Sequence, residues 1–214
     1  SLLGGEAYEP QEENPMIGFR GASRYYDKKF KDAFILECKA IKKVREEFDL
    51  KNLWIMIPFV RTIDEMKKCM EMIKAGGLNQ GPDFKIWMMC EIPSNVILLD
   101  KFLDLGIDGI SIGSNDLTQL TLGVDRDNQT LAKTFDERDP SVVMSIQYVI
   151  KTCRKRNVTC SICGQAPSVY PEITEMMVRS GTTSVSVTPD MIIQTRKIIA
   201  SVEKRLMLAN IIDR

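Results

Sequence analysis

Glu91 and Asp116 are the residues of this sequence best placed to do chemistry. Glu91 closes the apolar run Lys85-Ile86-Trp87-Met88-Met89-Cys90, and Asp116 follows the run 108–112 within Gly113-Ser114-Asn115-Asp116. In parallel α/β sheets ligands collect at the carboxyl ends of the strands, so both side chains are expected to point into one mouth. Two carboxylates there suit a hard divalent cation such as Mg²⁺, bound through oxygen with positions left open for substrate. Taken singly, each acid also suits a helix N-cap or first turn; equal placement after successive strands favours a site. Arg20 and Arg24 lie in Ile17-Gly18-Phe19-Arg20-Gly21-Ala22-Ser23-Arg24. Glycine beside arginine allows close approach, and guanidinium forks bind phosphate or carboxylate, although a turn with two solvated arginines reads the same.

What is missing narrows the chemistry further. The 214 residues contain no histidine, which excludes a self-contained Ser-His or Cys-His catalyst. Cys160-Ser161-Ile162-Cys163 has the spacing of a dithiol or a zinc knuckle. With no second pair and no imidazole, zinc would lack ligands. All six cysteines fall within apolar or helical patterns, which points to reduced thiols. The 29 basic residues balance the 29 acidic ones, so neither nucleic acid nor an anionic membrane is implied as a partner. No stretch approaches the roughly 18 apolar residues of a membrane span, and no basic-then-apolar leader opens the sequence. The expectation is a soluble, cytoplasmic protein.

The elements that must position these residues alternate. Apolar runs at 53–60, 85–91, 108–112, 158–163 and 184–187 read as strands, with a further candidate leading into Arg20. The run 85–91 has the composition of a strand buried on both faces. Helical periodicity covers 30–48, about 63–75, 95–105, 140–157, 170–180 and the chain from 189. Thr62-Ile63-Asp64-Glu65 resembles a capping box, and Gly76-Gly77 ends that helix. A short helix is expected over 114–123, then a long polar loop to Pro140 of the kind that is functional or mobile. Strand and helix alternating at ~25–45 residues is the mark of parallel βα units. A (β/α)8 barrel needs about 250 residues, so the expected fold is a TIM-type barrel lacking its first one or two strands. The expected organisation is an irregular lead-in over 1–16, a barrel domain over 17–205 and a C-terminal tail over 206–214.

Six motifs in order carry a resemblance: NPMIGFRGASRYY (14–26), MIPFVRT (56–62), CEIPSN (90–95), GISIGSNDLTQLTLGVDRD (109–127), FDERDP (135–140) and ICGQAPS (162–168). From about Leu3 to about Ala200 the chain resembles the phosphoenolpyruvate (PEP) synthase, or pyruvate, water dikinase, family of PEP-utilising enzymes. Pyruvate, phosphate dikinases and the phosphotransferase-system enzyme I share the Ser-Asn-Asp-Leu-Thr-Gln core, whereas RGASRYY and FDERDP look more like the synthases.

The resemblance implies a modular enzyme. An ATP-grasp domain phosphorylates a histidine on a swivelling domain, which carries the phosphoryl group to a C-terminal barrel holding pyruvate. This chain resembles the barrel alone, which accounts for the missing histidine. The resemblance further implies that Glu91 and Asp116 hold Mg²⁺. Asn115, with the backbone around Gly113 and Ser114, would orient pyruvate. Arg20 would clamp the phosphoryl group, and Cys163 would serve as the acid/base thiol, titrating near neutrality. Arg61 and Arg126 stand beside matched motifs and would act through the neighbouring site residues rather than on the substrate. One departure is visible: an Asp-His pair usual in the synthases is Val169-Tyr170 here. Beside this enzyme reading stand two others: an oligomerisation core without activity by itself, and the equivalent domain of a pyruvate, phosphate dikinase. A homo-oligomer formed partly through the apolar stretch Leu206–Ile212 is expected.

Overall fold

The computed structural model describes residues 8–212. Its regular elements follow the alternation. The helices α1 (Ala22–Tyr25) and α2 (Lys31–Glu46) precede strand β1 (Ile55–Ile57), helix α3 (Ile63–Ala75) and strand β2 (Ile86–Cys90). The helices α4 (Pro93–Ile97) and α5 (Leu99–Leu103) lead to β3 (Gly109–Gly113), α6 (Ser114–Leu122) and α7 (Pro140–Lys155). Then come β4 (Thr159–Cys163), α8 (Ala166–Val169), α9 (Pro171–Ser180), β5 (Ser184–Val185), a 3₁₀ turn (Pro189–Met191) and α10 (Ile192–Ile212).

The five strands form one parallel sheet in chain order, β1 to β5. The described residues fall into two units, 8–53 with 57–84 and 54–56 with 85–212. In the first, α2 and α3 bury Phe34, Cys38, Met66, Cys69 and Ile73. Thr62 caps α3 by accepting the Glu65 N–H at 3.2 Å. The other half of the expected box is rewired, because the Glu65 carboxylate takes the N–H of Arg61 at 2.6 Å.

In the second unit, register sorts the strands into two faces. Met88, Cys90, Ile110, Ile112, Cys160 and Ile162 are buried on one. Helix α7 covers β4 there, and its inward residues Val142, Ile146, Val149, Ile150 and Cys153 are fully buried. The opposite face is smaller and more polar: Met89 aligns with Ser111, Ser111 with Ser161, and Ser161 with Ser184.

Four details depart from the sequence reading. Strand β2 alternates between buried and half-buried residues, because Trp87 and Met89 lie on the polar face. The helix expected over 95–105 breaks at Leu98, whose φ of −106° and ψ of 22° separate α4 from α5. No strand leads into Arg20 among the described residues; positions 8–21 are turns and irregular backbone. Residues 206–212 form no separate tail but continue α10, while 1–7 and 213–214 lie outside the described residues.

Candidate active site

Glu91 is aimed by the turn that ends β2. The buried Asn95 accepts the backbone N–H groups of Glu91 at 3.2 Å and Ile92 at 3.1 Å, and Pro93 at the helix start needs no such partner. The Glu91 carboxylate then lies across the Cα of Gly113: a Cβ on that glycine would come within 2.6 Å of Glu91 Oε2. Gly113 is paired in register with Cys163. The ends of β2, β3 and β4 therefore place Glu91, Gly113 and Cys163 side by side.

The chain enters α6 directly at Ser114, so Asp116 falls in the first turn of that helix, where the backbone N–H groups favour negative charge. Ser114 is fully buried and donates its hydroxyl to the carbonyl of Cys163 at 3.2 Å. Gly164, at φ 117°, lies in the region that favours glycine, and a Cβ there would overlap Ser114 Oγ. The turns after β3 and β4 are thereby interlocked.

Cys163 is half-buried, with its Sγ 3.5 Å from Met89 Sδ. Burial pushes its thiol above the ordinary cysteine range, and the nearby Glu91 and Asp116 carboxylates push the same way, against a hydrogen bond with Ser111. The structure thus gives a thiol that keeps its proton, where titration near neutrality was expected. Cys160, three residues earlier, faces the opposite side of the sheet, where a hydrogen bond with Cys153, and then burial, raise its pKa. The pair is no dithiol centre.

Glu137 and Arg126 flank Asn115. In the amide orientation that satisfies both of its polar atoms, Asn115 donates to Glu137 Oε1 at 3.1 Å and accepts from Arg126 Nη1 at 3.2 Å. Glu137 is 4 % exposed, and burial raises its pKa despite the Ser114 hydroxyl, the backbone at Ala166 and the charge of Arg126. Sequence reasoning missed Glu137 because FDERDP sits in a polar loop where every acid reads as solvated. The adjacent Arg138 grips Asp136 through two hydrogen bonds, at 2.9 and 3.0 Å, and lies 4.4 Å from the ring centre of Tyr170. Tyr170, of the departing pair Val169-Tyr170, gives the chain after Cys163 a contact with Arg138 in this way.

Arg20 belongs to the first unit. Its guanidinium lies 4.2 Å from the ring centre of Phe59, and that of Arg61 lies 4.8 Å from the same ring. Arg61 donates to the carbonyls of Gly18 and, at 3.1 Å, Arg20. Arg61 therefore holds the turn that carries Arg20.

Among the described residues, no group of three or more His, Cys, Asp or Glu side chains could hold a metal ion. The pair Glu91 and Asp116 nonetheless fits Mg²⁺, which is typically held by one or two carboxylates with the remaining positions filled by water and substrate oxygens. Gly113 leaves the space that the Glu91 carboxylate occupies. No helix of the described residues is long and apolar enough to cross a membrane.

Residues 3–204 match a family described as PEP-utilising enzyme, PEP-binding domain. A protein of Staphylothermus marinus named probable phosphoenolpyruvate synthase is 55 % identical over 97 % of this chain and 25 % of its own length. The phosphoenolpyruvate synthases of Aeropyrum pernix and Helicobacter pylori are 54 % and 52 % identical, over 97 % and 96 % of the chain and 26 % and 25 % of their lengths. The chain thus spans about a quarter of these curated relatives. Among solved structures, RipC from Yersinia pestis overlaps 83 % of this chain and 86 % of its own, with a TM-score of 0.48 and 9 % identity.

Proposed function

The chain belongs to the PEP-utilising enzymes, whose PEP-binding domain it carries, and from that premise we propose that it binds PEP and pyruvate for a pyruvate, water dikinase. The observation that carries this reading is the alignment of Glu91, Gly113 and Cys163 at the ends of three adjacent strands, with Asp116 one turn into α6. Glu91 and Asp116 would hold Mg²⁺, and Asn115 with the backbone of Gly113 and Ser114 would orient the substrate carboxylate. When bound, Mg²⁺ supplies positive charge that lowers the cost of removing a methyl proton from pyruvate. Cys163 exchanges that proton. Resting protonated, its thiol is ready to give a proton to the methylene carbon of the enolate left when PEP gives up its phosphoryl group, and as thiolate it takes one from the methyl group of pyruvate. Arg20 is assigned to the phosphoryl oxygens, which a guanidinium binds through paired hydrogen bonds.

This chain contains no histidine, so the phosphohistidine carrier and the ATP-grasp domain would be supplied elsewhere in the full-length protein. In that setting the sheet would form part of a (β/α)8 barrel, in a cytoplasmic enzyme. A second reading, the oligomerisation core, is favoured by α10, which exposes Met207, Leu208, Ile211 and Ile212 by 59–80 %.

The test is exchange of pyruvate's methyl protons with deuterated solvent, followed by NMR on the full-length protein with Mg²⁺. Cys163→Ala is expected to slow exchange roughly 10²–10⁴-fold, as for a lost acid or base. Exchange that survives the substitution would remove the thiol from the reaction.

A further inference from the structure

We propose that Glu137 is a positioning residue that ties the turn after β3 to the turn after β4, keeping the Cys163 thiol aimed at substrate held by Asn115 and Asp116. The inference rests on the function proposed above.

The carboxylate is almost fully buried in a segment that is otherwise exposed: residues 127–134 on its N-terminal side are all exposed. Removing a carboxylate from water is costly unless its oxygens are satisfied. Its partners come from two different βα units. Asn115 and Ser114 belong to the turn after β3, and Ala166 to the loop after β4. Arg126 completes the set by reaching the same Asn115 amide, while its own backbone N–H donates to Gln119 Oε1 of α6 at 3.3 Å. Because Asn115 is held on both sides, its amide has a fixed direction. Ser114 is shared as well, since the hydroxyl that donates to the carbonyl of Cys163 also lies beside the Glu137 carboxylate. Glu137 is thus two links from the reacting thiol and one link from the residue assigned to substrate. Arg138, over Tyr170, anchors the same loop on its outer side. Misplacing a reacting group by about 1 Å can cost on the order of 10²-fold in rate, so the effect should appear in proton transfer before it appears in binding.

Two readouts on the full-length protein separate this inference from the functional reading. The first needs no substrate: alkylation of Cys163 by iodoacetamide, followed by peptide mass spectrometry, which singles out the one cysteine that is not buried. Glu137→Ala is expected to change its rate several-fold, with Glu137→Gln, which keeps an acceptor for Ser114 and Ala166, closer to the parent. The second is methyl-proton exchange. Glu137→Ala is expected to lower it at least ten-fold while Mg²⁺-dependent oxalate binding stays within about three-fold, and Glu137→Gln is expected to recover part of the loss. An alkylation rate within two-fold of the parent in Glu137→Ala would overturn the coupling, whatever the substrate. Equal losses of exchange and binding, or none in either, would overturn the positioning role. Should Glu137→Ala fail to fold, Glu137→Gln decides alone: exchange reduced with binding kept supports the proposal, and both unchanged defeats it. If the parent protein itself neither binds oxalate nor exchanges protons, the functional reading fails first and alkylation still judges the linkage.

Discussion

Cys163 differs from the other five cysteines in the direction from which it can be reached. Cys38, Cys69, Cys90, Cys153 and Cys160 are buried, whereas Cys163 is half-exposed beside two carboxylates. Burial first, and then Glu91 and Asp116, hold its folded-state pKa above the ordinary thiol value of 9.0. The sign follows: a raised pKa means the folded protein prefers the thiol, so any stability from this preference is present below the unfolded pKa and lost as pH rises through the folded one. Alkylation, which needs the thiolate, is accordingly expected to have its midpoint above pH 9 in the folded protein and nearer the ordinary value in urea. A folded midpoint below 9 would mean that the neighbouring charges are neutralised. The residue type was legible in the sequence, because a cysteine between a strand and a glycine stands out; its proton affinity was not. That depends on Glu91 and Asp116, which are 72 and 47 residues away and are brought beside it only by the pairing of β2, β3 and β4.

The strand ends do the positioning, and each was visible as the point where an apolar run meets polar residues. Strands β1, β2 and β4 fall within the expected runs, and β3 extends one residue past its own, to Gly113. The regular part of β5 is only Ser184–Val185, although Thr183 and Ser186 on either side donate their N–H groups to the carbonyls of Cys160 and Ile162 at 2.9 and 3.1 Å. The alternation of β2 was hidden for a different reason: Trp87 and Met89 are apolar whichever face they occupy. Glu137 was illegible because its burial arises from partners in two other loops rather than from any period in its own. Gly113 offers a test of the strand-end geometry. Its φ of −87° suits any residue, so Gly113→Ala should leave the backbone unstrained. The new Cβ would sit 2.6 Å from Glu91 Oε2 and 2.8 Å from Glu91 Cβ, displacing the carboxylate. The expected result is at least a ten-fold loss of Mg²⁺-dependent oxalate affinity, about 1.4 kcal/mol, with thermal unfolding showing at most the 1–3 kcal/mol typical of overpacking. Unchanged affinity in Gly113→Ala would place the Glu91 carboxylate outside the metal site.

At the scale of the molecule, one sheet gathers the carboxylates, the thiol and the amide at a single end, and the face beneath them is lined by Ser111, Ser161 and Ser184 rather than by branched aliphatics. Nothing in that arrangement requires a histidine or a third metal-ligating side chain, and the described residues contain neither. We propose that Glu91 and Asp116 hold Mg²⁺, and that the metal in turn holds the substrate. Oxalate mimics the planar, doubly oxygenated form of pyruvate after loss of a methyl proton, so its binding reports on the metal site without requiring phosphoryl transfer. The direct measurement is calorimetric titration of oxalate into the full-length protein with Mg²⁺, with EDTA, and in Asp116→Ala. One-site binding is expected with Mg²⁺ and none in the other two titrations, while Cys163→Ala still binds within a few-fold. Oxalate binding that is as tight in EDTA, or that is undiminished in Asp116→Ala, would contradict the proposed metal site.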